Sequence, residues 1–142
     1  MSATLVNCQN IVQIDESWLT QRIAVVLAEL DADAPAVEIS IVDDRQIAQL
    51  HADYFDNPEP TTVISFPQEK EFGLLGEVIV SVETVARQTT DLGYRLEEGL
   101  LYYMIHGLLH LCGYEHVGVP LAVAEQMYAK QEELFELGLI TA

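Results

Sequence analysis

Three of the four histidines of this 142-residue chain lie within eleven positions, at His106, His110 and His116. Residues four apart on an α-helix share one face, so His106 and His110 can contact the same point in space. His116 cannot reach that point from the same helix, because continuing the helix would carry it around and along the axis. Gly113 lies between them, and glycine is the usual residue where a helix ends in a left-handed turn. The spacing therefore predicts a helix that ends before Gly113 and a turn that returns His116 toward the other two histidines.

This set of imidazoles predicts a metal site. Imidazole is the commonest protein ligand for zinc, and three neutral rings leave a fourth tetrahedral position open, as in catalytic zinc sites. We therefore expect one Zn²⁺ ion per chain, bound by His106, His110 and His116. Nickel, copper and iron also accept imidazole. The alternative is that the histidines only belong to a buried helix and its exit loop, because the surrounding residues are nearly all apolar. These residues are Leu100, Leu101, Tyr103, Met104, Leu108, Leu109 and Leu111.

The residue after the first histidine separates this motif from the common zinc helix H-E-x-x-H. In that motif the glutamate acts as the general base of a protease. Here the same position is Gly107. The spacing of three histidines and a glycine resembles that of the metzincin proteases, but the missing glutamate argues against peptide hydrolysis. We expect a reaction whose nucleophile comes from the substrate or whose base lies elsewhere in the chain.

Two acidic residues are candidates for that base. Glu77 interrupts an otherwise apolar strand, and Glu115 directly precedes His116. Each carboxylate could act as a general base or could orient a metal-bound histidine. The alternatives are that Glu77 faces solvent on an uncovered side of the sheet and that Glu115 is a solvated residue of an exposed turn. Glu77 and Glu115 are therefore the predicted catalytic residues.

Length and charge restrict the class of protein. The chain has the length of one domain, residues 1–142, and half of its residues are hydrophobic. Its 23 acidic residues against six basic ones give a net charge of −17, which argues against nonspecific attraction to phosphate. Neither an apolar run long enough for a membrane span nor a secretory signal is present, so we expect a cytoplasmic protein without a membrane partner.

The order of apolar patterns predicts an α+β fold in which a small mixed four-stranded sheet packs against about five helices. The first strand is joined to the second through a helix, which favours parallel pairing. A short loop near Phe72 and Gly73 permits antiparallel pairing of the last two strands. Ser17 is the predicted N-cap of the first helix, and Gly138 is predicted to follow the end of the last one. The predicted strands are 4–14, 37–41, 61–66 and 75–81, and the later helices are 81–92, 96–112 and one that ends at 137.

The histidine segment resembles a known family signature. Residues 106–116, His-Gly-Leu-Leu-His-Leu-Cys-Gly-Tyr-Glu-His, are similar to the H-G-x-L-H-L-x-G-Y-D-H motif of the YbeY family. Residues 38–44, 60–67 and 75–81 resemble that family's other segments in order and spacing. The resemblance implies zinc ligation by the three histidines and a single-strand-specific endoribonuclease that acts in small-subunit ribosomal RNA maturation and ribosome quality control. It also implies ribosomal RNA or pre-ribosomal particles as partners, with a ribosomal or GTPase protein as an additional partner.

The chain departs from the family pattern at several positions. The family has an arginine after the tyrosine of the second helix, where this chain has Phe55 after Tyr54, and His51 replaces an asparagine. Family aspartates are replaced at Thr62, Glu77 and Glu115. Losing the arginine removes a permanently charged phosphate clamp. One alternative is that another basic residue, or zinc alone, holds the phosphate. A second is that the chain is a zinc-stabilised ribosome assembly factor with weakened nuclease activity. A metal-dependent hydrolase of another substrate class is the third alternative.

Overall fold

The computed structural model describes residues 2–30, 36–68 and 74–140. Within these ranges the chain forms four strands, five α-helices and one short 3₁₀ helix. In chain order these are β1 (Ala3–Asn7), α1 (Glu16–Leu30), β2 (Ala36–Val42), α2 (Asp44–Phe55), β3 (Val63–Pro67), β4 (Leu74–Ser81), α3 (Val82–Thr89), the 3₁₀ helix (Thr90–Leu92), α4 (Leu96–Leu111) and α5 (Leu121–Ile140). The expected α+β fold is confirmed.

The four strands form one mixed sheet in the order β1-β2-β4-β3. β1 pairs parallel to β2 and β2 parallel to β4, whereas β3 pairs antiparallel to β4. Both predicted pairing directions are therefore confirmed, although the loop assigned to Phe72 and Gly73 lies outside the described residues. The order leaves β3 at one edge of the sheet, and this edge borders the candidate site described below.

The sheet separates two apolar cores. The larger core contains α1, α4 and α5 with the inward side chains of β2 and β4, including Val37, Ile39 and Val78. The smaller core is formed by Val42, Ile47, Ile64 and Ile79 and lies beneath α2. Because side chains alternate along a strand, Val78 and Ile79 of β4 point to opposite faces. The histidine helix α4 and the helix α2 therefore cover opposite faces of the sheet.

The first predicted strand is too long. β1 ends at Asn7, and the apolar residues Ile11 and Val12 are exposed. Their backbone N–H groups donate to Oε1 of Gln9, and Nε2 of Gln9 donates to the carbonyl of Val12. The buried side chain of Gln9 thus makes the backbone hydrogen bonds that a neighbouring strand would otherwise provide, and the strand does not continue through Ile11 and Val12.

Two predicted helix boundaries are also wrong. Ser17 lies inside α1, because the carboxylate of Asp15 already accepts the N–H of Trp18 near the start of the helix. Gly138 lies inside α5 and does not end it. A Cβ at Gly138 would come within 3.2 Å of the Leu101 side chain, so the glycine is a close-packing position between helices. Of the described helices, none has the length and apolar character required to cross a bilayer.

Candidate metal centre

Helix α4 places the first two histidines of the cluster. It is apolar on nearly every side because it packs between the sheet and other helices, and Met104, Ile105 and Leu108 are fully buried. His106 and His110 lie one turn apart on its C-terminal half and are partly exposed. An apolar, buried helix is a rigid support, so the two imidazoles are held at a fixed spacing.

The helix ends as the glycine predicts. Gly113 has φ +96°, which is a left-handed conformation. The N–H of Gly113 donates to the carbonyl of His110, and the N–H of Tyr114 donates to that of Leu109. These two bonds form a Schellman motif, which satisfies carbonyls at the helix end and reverses the chain. His116 is thereby returned to the two helical histidines, as the spacing predicts.

The three Nε2 atoms converge on one point. Nε2 of His106 lies 3.1 Å from Nε2 of His110 and 3.2 Å from Nε2 of His116. All three ligand atoms lie within 4.8 Å of one another, so the cluster could hold a metal ion. A tetrahedral zinc ion with Zn–N bonds of about 2.0–2.1 Å requires N–N separations of about 3.3 Å. The observed distances are close to that value.

Hydrogen bonds select the tautomer that metal binding requires. Nδ1 of His106 donates to Oε1 of Gln131 over 3.0 Å, and Nδ1 of His110 donates to the carbonyl of Tyr114 over 3.0 Å. With both Nδ1 atoms protonated, the neutral rings present the lone pairs of Nε2 toward each other. Two lone pairs at 3.1 Å repel unless a cation lies between them, so the donor set fits a metal ion.

Burial keeps the two helical histidines in the neutral form. Burial lowers the pKa of His106 most strongly; its hydrogen bond to Gln131 opposes this shift, and the nearby His110 and His116 lower the pKa further. Burial also lowers the pKa of His110, with an added contribution from His116. Because only neutral imidazole binds a metal, both shifts favour the ligand form at neutral pH.

The predicted catalytic acids lie on different sides of the sheet. Glu115 is exposed, and its carboxylate lies 3.8 Å from Nδ1 of His110. Glu77 pairs in register with Phe66 and Glu38 on the α2 face, whereas its neighbours Gly76 and Val78 face α4. The structure therefore brings Glu115 to the histidines but not Glu77. We correct the assignment of Glu77 as a base, because the sheet separates its side chain from the cluster.

Glu77 instead lies on the α2 side of the sheet, opposite Phe66, which packs against the smaller core. Burial raises the pKa of its carboxyl group, and a side-chain hydrogen bond and the charge of Glu38 raise it further. These effects arise on the face of the sheet that α2 covers.

An open groove of about 440 Å³ lies beside the histidine cluster. It follows the edge strand β3, between the C-terminal end of α2 and the end of α4. The residues lining it are His51, Phe55, Thr61, Val63, Ile64, Ser65, Pro67, His110, Leu111 and Glu115. Because His110 and Glu115 line this groove, a substrate in it would lie against the metal cluster.

Gly107 explains why the usual protease glutamate is missing from this helix. A Cβ at this position would lie 2.6 Å from Cγ1 of Val78 and 2.9 Å from Oγ of Ser65. The hydroxyl of Ser65 also donates to the carbonyl of Gly107. The side of α4 at position 107 is therefore closed against the sheet and leaves no room for a glutamate.

Sequence reasoning missed Gln131 as a partner of the cluster. It is 1% exposed, and it lies on the buried face of α5 with Met127, Leu134 and Phe135. A lone polar residue on such an apolar face is a signal that could have found it, since buried polar groups need partners. The identity of that partner, His106, is not apparent from the sequence.

The fold and the site together define a class of protein: an α+β domain with a three-histidine cluster that could hold a metal ion beside an open groove. A family model described as Endoribonuclease YbeY matches residues 4–137. The chain therefore belongs to the YbeY family, which confirms the resemblance of its motifs.

Individual relatives agree with this membership. Endoribonuclease YbeY of Syntrophotalea carbinolica is 38% identical, over 87% of this chain and 93% of the relative. Endoribonuclease YbeY of a Synechococcus species is 36% identical, over 88% of this chain and 82% of the relative. The solution structure of TM1509 from Thermotoga maritima has the same fold, with a TM-score of 0.68, 23% identity, and coverage of 96% of this chain and 88% of that one.

Proposed function

We propose that this protein is a zinc-dependent endoribonuclease that cleaves single-stranded RNA. The observation that carries the proposal is the convergence of three Nε2 atoms, two of them on rings whose Nδ1 atoms are held by hydrogen bonds, at the edge of an open groove. The names of the similar proteins, which describe endoribonucleases, supply the substrate class. The family resemblance extends the proposal to small-subunit ribosomal RNA maturation and ribosome quality control in the cytoplasm, with pre-ribosomal particles and a ribosomal or GTPase protein as partners.

Each residue of the site has a proposed part in the reaction. His106, His110 and His116 would hold zinc, which when bound stabilises negative charge that develops on a phosphate. Gln131 keeps His106 in the tautomer that leaves Nε2 free. The Glu115 carboxylate lines the groove and would accept a proton from the attacking group. Ser65 holds the carbonyl of Gly107 and so fixes α4 against the groove wall.

A second candidate is an assembly factor that binds ribosomal particles without cutting RNA. It is favoured by one observation: within the described residues, the lining of the groove contains neither lysine nor arginine. Phosphoryl transfer sites usually include such a cation to stabilise transition-state charge. Within the described groove lining, that contribution would come from the metal.

The test combines metal analysis with RNA cleavage. We expect purified wild-type protein to carry about one zinc ion per chain and to cut a single-stranded RNA but not a duplex. His110→Ala should lose both the zinc and the cleavage, while its circular dichroism shows a folded protein. Chelation of the wild type should abolish cleavage, and added zinc should restore it. Cleavage by metal-free His110→Ala would overturn the proposal, and full zinc occupancy without any cleavage would favour the assembly factor.

A further inference from the structure

An exposed aromatic side chain stands at the mouth of the groove. Phe55 is the last residue of α2 and is 54% exposed. Its ring contacts the rings of His51 and Phe66, with centroids 5.8 Å and 6.1 Å away. These contacts support the ring from the protein side, so its position is fixed while much of its surface remains open to solvent.

The same side chain lines the groove that extends to the histidine cluster. Phe55 and His51 line the groove on the α2 side, and His110 and Glu115 line it on the α4 side. A ligand that fills the groove therefore lies against both the exposed ring and His110. The neighbouring Tyr54 is also exposed, at 67%, but it is not among the groove-lining residues.

The charge of the groove decides which physical interaction can hold RNA there. Phosphate contacts from lysine and arginine usually supply most nonspecific nucleic-acid affinity. The described groove lining contains no such residue but includes Glu115, and the whole chain has a net charge of −17. Stacking of a base on an aromatic ring needs no positive charge and contributes substantially to single-strand binding. Within the described groove lining, the exposed ring of Phe55 is therefore a suitable anchor for single-stranded RNA.

We propose that Phe55, supported by His51, is a stacking subsite for one unstacked nucleobase of single-stranded RNA bound across the histidine cluster. The subsite deepens the proposed nuclease function and rests on it. Bases in a duplex are already stacked on their neighbours and cannot offer a free face, so the subsite selects single strands. Its position at the α2 side of the groove makes it a determinant of which nucleotide lies near the metal.

The first experiment measures binding of the zinc-loaded full chain to a fluorescein-labelled 2′-O-methyl RNA of about six nucleotides by anisotropy. We expect Phe55→Leu to weaken binding about 5- to 100-fold, because the leucine keeps apolar contact but removes the aromatic face. Tyr54→Leu is the matched control, since it removes an adjacent exposed ring outside the groove, and it should change the affinity less than twofold. Unchanged thermal melting would show that both variants are folded.

A second arm shows whether the lost interaction is with a base. Abasic residues placed one at a time along the oligonucleotide should weaken wild-type binding strongly at one position. In Phe55→Leu the same abasic substitution should have almost no further effect, since partners that contact each other are non-additive. Phe55→Trp should retain binding, and RNA should quench its added tryptophan fluorescence relative to the wild type, which contains only Trp18.

The outcomes separate this proposal from the proposed nuclease function. If Phe55→Leu and Tyr54→Leu both bind RNA as tightly as the wild type, the stacking subsite alone is overturned. An abasic penalty of the same size in Phe55→Leu as in the wild type would also overturn it. The wild type could also bind RNA with a position-specific abasic penalty and yet fail to cleave it. If Phe55→Leu then loses that binding, the result would support the stacking subsite and overturn the nuclease function. A zinc-loaded wild type that binds no RNA would overturn both.

Discussion

Replacing Gly107 by alanine tests how tightly the histidine helix is seated on the sheet. A Cβ at this position would lie 2.6 Å from Cγ1 of Val78, 2.9 Å from Oγ of Ser65 and 3.1 Å from Cγ2 of Val63. Ordinary contact begins near 3.4 Å, so α4 would have to move away from β4 by about 0.8 Å. The Ser65 hydroxyl, which donates to the Gly107 carbonyl over 2.9 Å, would then lose its hydrogen bond.

The magnitude follows from three opposing contributions. Overpacking of a buried site costs about 1–3 kcal/mol, and the lost hydrogen bond costs about 1 kcal/mol. Alanine regains about 1 kcal/mol of helix propensity over glycine. The net expectation is a decrease of about 1–3 kcal/mol in the free energy of unfolding. For a domain of this size the decrease corresponds to a fall in Tm of roughly 2–12 °C.

The assay is thermal and urea unfolding of Gly107→Ala beside the matched control Gly138→Ala. A Cβ at Gly138 meets only the flexible end of Leu101 at 3.2 Å and Val26 at 3.6 Å, so its stability should stay the same or rise by up to about 1 kcal/mol. Zinc affinity should fall in Gly107→Ala, because metal–ligand distances tolerate errors of only about 0.2 Å. A Gly107→Ala protein as stable as Gly138→Ala would refute the packing argument.

Three further predictions concern the site and its supports. Gln131→Leu leaves the buried Nδ1–H of His106 without an acceptor and should weaken zinc binding about 10- to 100-fold in a chelator competition. Gln131→Glu keeps an acceptor and should retain zinc binding. Equal zinc affinities of Gln131→Leu and the wild type would contradict the tautomer argument. Glu115→Gln should slow RNA cleavage, whereas Glu77→Gln should leave the cleavage rate unchanged. Glu77→Gln should also raise Tm at neutral pH. The pKa of Glu77 is raised on folding, so its ionised carboxylate destabilises the folded protein as the pH rises through that pKa. Asp44→Asn should cost about 1–3 kcal/mol at neutral pH in urea unfolding and much less in acid. Burial by itself raises the pKa of Asp44, but the hydrogen bonds from Ser81, Thr84 and Arg87 and the charge of Arg87 outweigh burial and lower the pKa. The wild type therefore loses this stabilisation as the pH falls through the lowered pKa. A difference in unfolding free energy between wild type and Asp44→Asn that persists unchanged in acid would contradict this argument.

The elements that the sequence predicts well are those with strong local signals. Ser81, the first residue of the predicted helix 81–92, caps α3, and Gly113 ends α4 in a left-handed turn. Each depends on residues within a few positions, so spacing along the chain is sufficient to locate it. The direction of strand pairing also follows from connection type, because a helix between two strands favours parallel pairing.

The wrong predictions arise where a side-chain hydrogen bond or the packing of two helices overrides the apolar pattern. Ile11 and Val12 have strand propensity, yet the side chain of Gln9 takes their backbone hydrogen bonds. Gly138 has the pattern of a helix end, yet α5 continues through it to Ile140 and packs against Leu101 at that position. Propensity is a weak signal, and packing between elements outweighs it.

The sequence by itself determined the three-histidine cluster of this YbeY-family chain. A four-residue spacing, an intervening glycine and a third histidine suffice for that, because helix geometry relates neighbours in the chain to neighbours in space. Only the tertiary structure decided which groups surround the cluster. Alternation along β4 sends Glu77 away from Val78, but which face α4 covers depends on packing of the whole domain. The pairing of Gln131 with His106 and the presence of Phe55 and His110 in one groove have the same origin, since each depends on how separate helices pack on the sheet.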